Sequence, residues 1–465
     1  MEKFKFDQKP IMKLLLDPDY VPIVLANKQF CNTVKSSKNP IPINIAIVRS
    51  KGQVAIKSTF VFNDIYEEED ANYLYIERLV KTLLWIKGGW KIIFAGSPKL
   101  GKRLKESYAP GGEREFDADF MSKIYEKDFE VLVVDLKDVP KENEQSSPIG
   151  RHLNGYRIGF DAGGSDRKVS AVVNGKVIYS EEIVWHPKLQ SDPSYHYNGI
   201  MDSIKRAASK MPQVDAIGVS SAGILIDKRI AASSLFLKVP QDKFDSEVRD
   251  MYFKVQKEMG NVPIEVINDG DVTALAGAMS LGSNNVLGIA MGTSQAAGYV
   301  DNLGNITGWL NELCFVPVDF NKDSIIDEWS LDYGCGVKYF SQDSVIKLAK
   351  NAKIKLQENL SPAEKLKVVQ ELLEANDPRA EDIFDTIGCY LGYSIAYYAE
   401  FYDIKHIIIL GRVTSKTGGI RILKIAKQIL KLEFNDLFRK IELTLPDENN
   451  RRVGQSIAAA SLPKV

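Results

Sequence analysis

Phosphate binding calls for backbone donors that oxygen atoms can approach closely, a hydroxyl, and a carboxylate for the accompanying metal. Asp161-Ala162-Gly163-Gly164-Ser165 supplies all of these in one short segment. The glycines open the backbone N–H groups, and Ser165 adds a side-chain donor. Asp161 would face Mg²⁺ through water, because Mg²⁺ keeps much of its hydration. An ordinary turn would use the same residue types. The chemistry recurs at Gly292-Thr293-Ser294, so two phosphate-type turns could share one nucleotide across a cleft. Between them, Ile267-Asn268-Asp269-Gly270-Asp271 joins a strand end to a helix opening through Val272. A carboxylate there is placed to take a proton from a bound hydroxyl. Capping the helix is the competing role for Asp269 or Asp271.

Other chemistry-bearing residues read as structural. Gly96-Ser97-Pro98-Lys99-Leu100-Gly101-Lys102-Arg103 nearly spells a P-loop, but Arg103 stands where a Ser or Thr must hold Mg²⁺. A strand-to-helix turn with an exposed basic helix is expected instead. His152, His186, His196 and His406 have no metal-ligand partner three or four residues on, so surface or packing roles are expected. Cys31, Cys314, Cys335 and Cys389 form no C-x-x-C pair, which argues against a disulfide scaffold and for a reducing cytosol. Gly388 and Gly392 are spaced for close helix packing.

The elements that must position these residues are legible in outline. The chain has 465 residues, enough for two or three domains at roughly 150 residues each. Lys plus Arg at 60 against Asp plus Glu at 61 leaves a net charge of −1, so no global charge points to nucleic acid or an anionic membrane. No apolar run approaches the roughly 18 residues a membrane span needs. Residues 1–150 read as an additional α/β domain: a hairpin from Ile43 to Phe62 turning at Lys51-Gly52, a helix Tyr73 to Lys87 stopping at Gly88-Gly89, and strands at Lys91–Ala95 and Phe129–Val134. Lys141 to Pro148 reads as a linker.

From Tyr156 a strand, the Asp161 turn and a second strand lead to Asn174-Gly175, a type I′ hairpin turn. The second half restarts in the same way at Val286–Ala290, a weak internal duplication. Ser361-Pro362-Ala363-Glu364 and Asp377-Pro378 are helix starts. A helix from Gln455 to Ser461 closes the chain.

The order of these motifs resembles that of the ROK family of sugar kinases and sugar-responsive regulators, within the actin and hexokinase-like ATPases. The resemblance runs from about Tyr156 to the C-terminus. It rests on Gly159-Phe-Asp161-Ala-Gly163-Gly164-Ser165, Ile267-Asn268-Asp269-Gly270-Asp271, Gly292-Thr293 and Leu410-Gly411-Arg412-Val413-Thr414-Ser415. It implies a duplicated α/β fold: a first lobe over 151–271 with the C-terminal helix 452–465 packed on it, and a second lobe over 272–451. Asp269 would be the catalytic base, and Asn268 and Glu312 would hold the sugar. Asp161, Gly163, Gly164, Ser165, Gly292, Thr293, Ser294 and Gly411 would hold Mg²⁺-ATP, with Asp161 toward the metal.

Two departures stand out. The family's sugar- and zinc-reaching histidine is Phe315, and a sugar-reaching glutamate is Val337. Cys314 and Cys335 alone cannot supply the four nitrogen or sulfur ligands of a structural zinc, so no zinc is expected. The resemblance thus implies an ATP-dependent cytoplasmic kinase for a hexose or N-acetylhexosamine, with a sugar sensor or scaffold as the alternative. Sugar and nucleotide are the expected partners, and a homodimer is compatible. Nucleic acid is not expected, since the first 150 residues read as strand-rich rather than as a helix-turn-helix.

Overall fold

The computed structural model describes residues 3–446 and 448–465, with the side chains of 448–453 outside the description. The chain divides into two compact units: Met1–Gln145, Ile289–Ala296 and Trp309–Leu445 form unit one, and Ser146–Gly288, Ala297–Gly308 and Pro446–Val465 form unit two. Two expected boundaries differ from this division. Residues 1–145 contribute their own α/β elements yet cluster with 309–445 rather than standing apart. The lobe boundary expected at 271–272 would cut the continuous helix Asp269–Leu281, which stays whole in unit two.

In unit one, β1 (Ile41–Val48) pairs antiparallel with both β2 (Val54–Val61) and β3 (Lys91–Ala95), and β3 runs parallel to β4 (Glu130–Val134). The β1–β2 turn takes positive φ at Lys51 (57°) and Gly52 (70°). The presumed linker is held at its start, because Asn143 and Val54 exchange backbone hydrogen bonds at 2.9 Å. Glu144 also pairs with Arg49 (3.0 Å) and Lys87 (2.8 Å).

The near-P-loop is a helix start. Ser97 accepts from the N–H of Leu100 at 3.4 Å, and Pro98 takes the first helical position. Lys102 projects into solvent, while Arg103 pairs with Asp70 at 2.8 Å and lies over the Tyr73 ring.

In unit two, β5 (Tyr156–Ala162) pairs antiparallel with β6 (Asp166–Val173), and β6 likewise with β7 (Lys176–Val184) through Asn174 (φ 49°) and Gly175 (φ 80°). On its other side β5 runs parallel to β8 (Ala216–Ser221). A short ribbon of β9 (Ile224–Ile226) and β10 (Arg229–Ala232) follows, and β11 (Ile264–Asn268) completes the sheet in the order β11-β8-β5-β6-β7. Ile158, Phe160, Ile217, Val219 and Val266 pack beneath Trp185, Ile200, Ile204 and Phe236 to make its core. Each such side chain contributes about 1.5–3 kcal/mol by leaving water. The C-terminal helix Glu448–Ala460 packs on β5, β8 and the helix Asp269–Leu281.

The second-half strands β12 (Val286–Met291), β13 (Gln295–Val300), β14 (His406–Leu410) and β15 (Glu442–Thr444) form a sheet in the order β13-β12-β14-β15. The predicted helix starts appear as read, with a full capping box at Ser361 and Glu364 and an Asp377 cap before Pro378. Gly388 and Gly392 admit Ile425 and Ile429 of the helix Thr417–Glu433, since a Cβ at either glycine would lie 2.7 Å from the isoleucine Cβ. Among the described residues no helix is long and apolar enough to cross a membrane.

The helix Glu69–Lys87 departs from an ordinary amphipathic pattern, because it is buried on nearly every side from Ala71 to Lys87. Its charges meet a partner far along the chain. Asp332 accepts from both terminal nitrogens of Arg78 (2.8 and 3.0 Å), from Lys81 Nζ (2.6 Å) and from Nη2 of Arg114 (3.0 Å), and forms an ion pair with Arg114 Nη1 at 2.8 Å. Glu77 pairs with Arg78 (3.1 Å) and Arg114 (2.5 Å), and Asp117 takes the Trp85 indole N–H (2.7 Å). Three cations thus face three carboxylates out of contact with water. Burial alone would raise the Asp332 carboxyl, yet Lys81, Arg78 and Arg114 together hold it well below the usual carboxylate range.

Two outcomes are expected. Asp332→Ala should destabilise the protein by about 3–5 kcal/mol in urea unfolding, because it strands buried cations, and a loss below about 1 kcal/mol would show that they do not depend on it. Since Asp332 titrates lower folded than unfolded, its contribution is full above the unfolded value of about 4 and fades as pH falls further. Lys102→Ala should leave any ATP turnover nearly unchanged. A loss beyond about tenfold, a barrier change of about 1.4 kcal/mol, would instead place the nucleotide on the N-terminal elements.

Candidate functional site

The candidate residues divide between the two units. In unit two, β5 delivers Asp161 to the strand end, and the turn Gly163–Ser165 follows at once. Asp161 is buried, and its Oδ1 accepts from the Ser220 hydroxyl at 2.7 Å, a bond made possible because β8 runs parallel to β5 with Ser220 opposite Asp161. Its Oδ2 lies 4.0 Å from Lys168 Nζ, which is closer to Asp166 at 2.8 Å. Burial raises the proton affinity of Asp161, against the Ser220 hydrogen bond and the Lys168 charge. The turn itself is pinned by Trp185, whose indole N–H donates to the Gly163 carbonyl (2.7 Å) and whose backbone N–H donates to that of Ser165 (3.1 Å).

Asp269 opens the helix Asp269–Leu281 at the end of β11. The cap is neither aspartate but Asn268, whose Oδ1 accepts from the Gly270 N–H at 2.7 Å while its amide donates to the Gly223 carbonyl at 2.7 Å. The side chain expected to hold sugar therefore also fixes the direction in which the helix leaves the strand. Asp271 points elsewhere: it is buried and accepts from the backbone N–H of Tyr299 at 3.0 Å. Asp269 is thus not the cap; it is partly buried and close enough to Asp161 to feel its charge. Burial first, and the Asp161 charge second, push the Asp269 carboxyl up to about 6, while the Gly270 N–H opposes the rise.

In unit one, the turn Gly292–Ser294 links β12 to β13, with Thr293 and Ser294 exposed. It is shaped by a hydrogen bond from Gly292 N–H to the Ser294 carbonyl (2.9 Å), and the Gly292 carbonyl accepts from Gln342 N–H (2.9 Å) at a helix start. Gly411 follows β14 with φ of 106°, and a Cβ there would lie 2.3 Å from the Met291 carbonyl oxygen. Only glycine fits, so the Gly411 loop rests directly against the strand that carries the Gly292 turn.

Glu312 sits on a segment tied to the N-terminal elements. Its N–H and that of Asn311 donate to the carbonyls of Trp85 and Ile86 (3.0 Å each), among the last carbonyls of the helix Glu69–Lys87. Its Oε2 accepts from the Cys314 thiol at 3.3 Å. Phe315 joins an aromatic cluster, 4.2 Å from the Trp85 ring and 5.8 and 6.4 Å from Phe116 and Phe120. Cys314 and Cys335 are buried thiols held protonated by burial, and the Val337 N–H donates to the Cys314 carbonyl (3.0 Å). Among the described residues no group of three or more His, Cys, Asp or Glu is arranged to hold a metal. The donor set around Cys314 and Cys335 therefore does not fit a structural zinc.

Unit two thus brings Asp161, the Gly163–Ser165 turn, Asn268 and Asp269 to neighbouring strand ends of one sheet. Unit one brings the Gly292 turn to the Gly411 loop, with Glu312 on a separate segment. Sequence reasoning missed Ser220, whose only signal is a pair of serines closing an apolar strand, and Trp185, which looks like any core aromatic. His196 is a packing residue as expected, its Nε2 lying between the carbonyls of Pro187 (3.1 Å) and Leu235 (3.0 Å).

No curated protein sequence matches the chain, but solved structures do. The ROK hexokinase from Thermus thermophilus is 16% identical and aligns over 65% of this chain and 97% of its own, with a TM-score of 0.52. A Listeria monocytogenes protein described as a candidate N-acetylmannosamine kinase is also 16% identical, covering 66% and 97% with a TM-score of 0.50. A Streptomyces griseus ROK glucokinase, solved with glucose and AMPPNP, is 22% identical and covers 66% and 99%, with a TM-score of 0.46. Likeness at such identities speaks to the fold, the actin and hexokinase-like one. The ROK family model matches residues 157–452, which span both glycine turns, Asp269 and the Gly411 loop, and the chain belongs to the ROK family.

Proposed function

We propose that the protein transfers the terminal phosphoryl group of ATP to a hydroxyl of a hexose or N-acetylhexosamine. The observation that carries this reading is Asp269, a carboxylate at the start of a helix capped by Asn268, placed beside Asp161 and raised to about 6 by burial and by that neighbour. Such a group is ionised at neutral pH yet basic enough to take a hydroxyl proton. The sugar oxygen attacks the γ-phosphorus, its proton passes to Asp269, and the bond to the β–γ bridging oxygen breaks to release ADP. Gly163, Gly164 and Ser165 are assigned to the nucleotide, as, by their motifs, are Gly292, Thr293, Ser294 and Gly411. Asn268 and Glu312 are assigned to the sugar. Most of the rate comes from positioning and charge neutralisation.

Asp161 suits a Mg²⁺-nucleotide, because its buried charge is met by one hydroxyl and a lysine 4.0 Å away, and it also raises Asp269. Mg²⁺ bound there supplies neutralisation of the phosphate oxygens. Phe315 and Val337 favour a second reading, a sugar-responsive protein that keeps the turns without efficient transfer, since neither side chain can hydrogen-bond a sugar.

Asp269→Asn should abolish transfer, with at least the 10²- to 10⁴-fold contribution typical of a general base, and leave nucleotide affinity close to wild type. Because the folded carboxyl titrates above its unfolded value, it is a net cost to stability at neutral pH, so the same variant should melt higher. In the wild type kcat/KM should fall as pH drops through about 6. Asp271→Asn, the matched control, should keep transfer and cost less than about 1.5 kcal/mol, because its amide oxygen can still accept the Tyr299 N–H. Full activity in Asp269→Asn would remove Asp269 as the base, and no phosphorylation by the wild type across a panel of hexoses and N-acetylhexosamines would leave the sugar-responsive reading in its place. Metal analysis of the purified protein should find less than stoichiometric zinc, and one zinc per chain would require ligands other than Cys314 and Cys335.

A further inference from the structure

Beside the glycine turn of unit two lies a lysine that the sequence motifs do not include. Lys188 belongs to the short turn Pro187–Leu189 that follows β7. Its side chain reaches back over Gly164: a Cβ built on that glycine would stand 3.0 Å from Lys188 Cε and 3.3 Å from Nζ. The backbone carrying Lys188 is fixed on both sides. Trp185 clasps the turn through the carbonyls of Gly163 and Ser165, and buried His196 binds the Pro187 carbonyl at 3.1 Å.

The other lysine at the turn is already engaged, for Lys168 pairs with Asp166 at 2.8 Å and faces Asp161 at 4.0 Å. Lys188, by contrast, is an exposed residue with no hydrogen-bond or ion-pair partner among the described residues. An ammonium that lies over a glycine turn, carried on a backbone clamped beside it and with no carboxylate to neutralise it, is complementary to a polyanion lying along that turn.

Resting on the kinase reading above, we infer that Lys188 binds the terminal phosphates of the nucleotide, supplying the positive side-chain charge that the Gly163–Ser165 turn itself lacks. Gly164 then serves twice, through its backbone N–H and because a Cβ there would press on the end of the lysine.

Titration calorimetry with Mg²⁺-AMPPNP and with adenosine separates this role from a structural one. Lys188→Met should weaken AMPPNP binding by about 10- to 100-fold, the range of a charge-assisted hydrogen bond, and leave adenosine binding within about twofold. Lys188→Arg should restore most of the loss. Raising NaCl from about 50 to about 500 mM should weaken AMPPNP binding more in the wild type than in Lys188→Met. AMPPNP affinity in Lys188→Met within twofold of wild type would overturn the assignment while leaving the kinase reading intact. Equal losses for adenosine and AMPPNP would overturn it too, as a general disturbance of the site. If the wild type bound neither ligand, the nucleotide reading would fall, and this assignment with it.

Discussion

Unit one depends on a single buried carboxylate. Asp332 is 4% exposed and takes hydrogen bonds from Arg78, Lys81 and Arg114, each of which would be very costly to bury alone. Two of these cations lie on the helix Glu69–Lys87 and the third just before the helix Glu115–Tyr125, so the cluster fastens N-terminal elements to a loop of the family-matched region. Its geometry is demanding, which makes it a device for choosing one arrangement more than for adding net stability. Once the helix is seated, its last carbonyls receive the N–H groups of Asn311 and Glu312 and its Trp85 ring receives Phe315. The placement of Glu312 is therefore downstream of the placement of Asp332.

These contacts also hold the segment around Glu312. Cys314 and Cys335 remain as buried, protonated thiols. The chain around them is fixed by backbone pairing, Val337 to Cys314 and Gly336 to Val316, and by the aromatic cluster of Trp85, Phe116, Phe120 and Phe315. Dispersion and burial hold this segment, with the N-terminal elements as the surface it packs on.

Unit two answers a different constraint. Parallel strands β5, β8 and β11 end side by side, so whatever sits at their ends is brought close whatever its charge. Asp161 and Asp269 repel, and the protein sustains that cost at the position where chemistry is proposed. Around them the structure is otherwise well satisfied: Ser220 bonds Asp161, Asn268 caps the helix, and Trp185 holds the turn.

What the sequence determined by itself is local. Asn174-Gly175 specifies a type I′ turn because both residues tolerate positive φ, and Ser361 with Glu364 specifies a helix start because each satisfies an orphan N–H of the other's end. The two glycine turns and the Asp269 strand end were legible for the same reason, since residues within a few positions carry the whole signal. The tertiary structure decided what depends on distant partners. Arg78 and Asp332 are 254 positions apart, and nothing in the spacing around either marks them as a pair. Residues 1–150 therefore read as a separate domain, although Asp332 is needed to complete the buried charges of Arg78, Lys81 and Arg114, and Phe315 packs on Trp85. Which of Asn268, Asp269 and Asp271 caps the helix was likewise undecidable locally, because all three side chains can accept an N–H. The choice was made by the Gly223 carbonyl and the Tyr299 N–H, which engage Asn268 and Asp271 and leave Asp269 for chemistry.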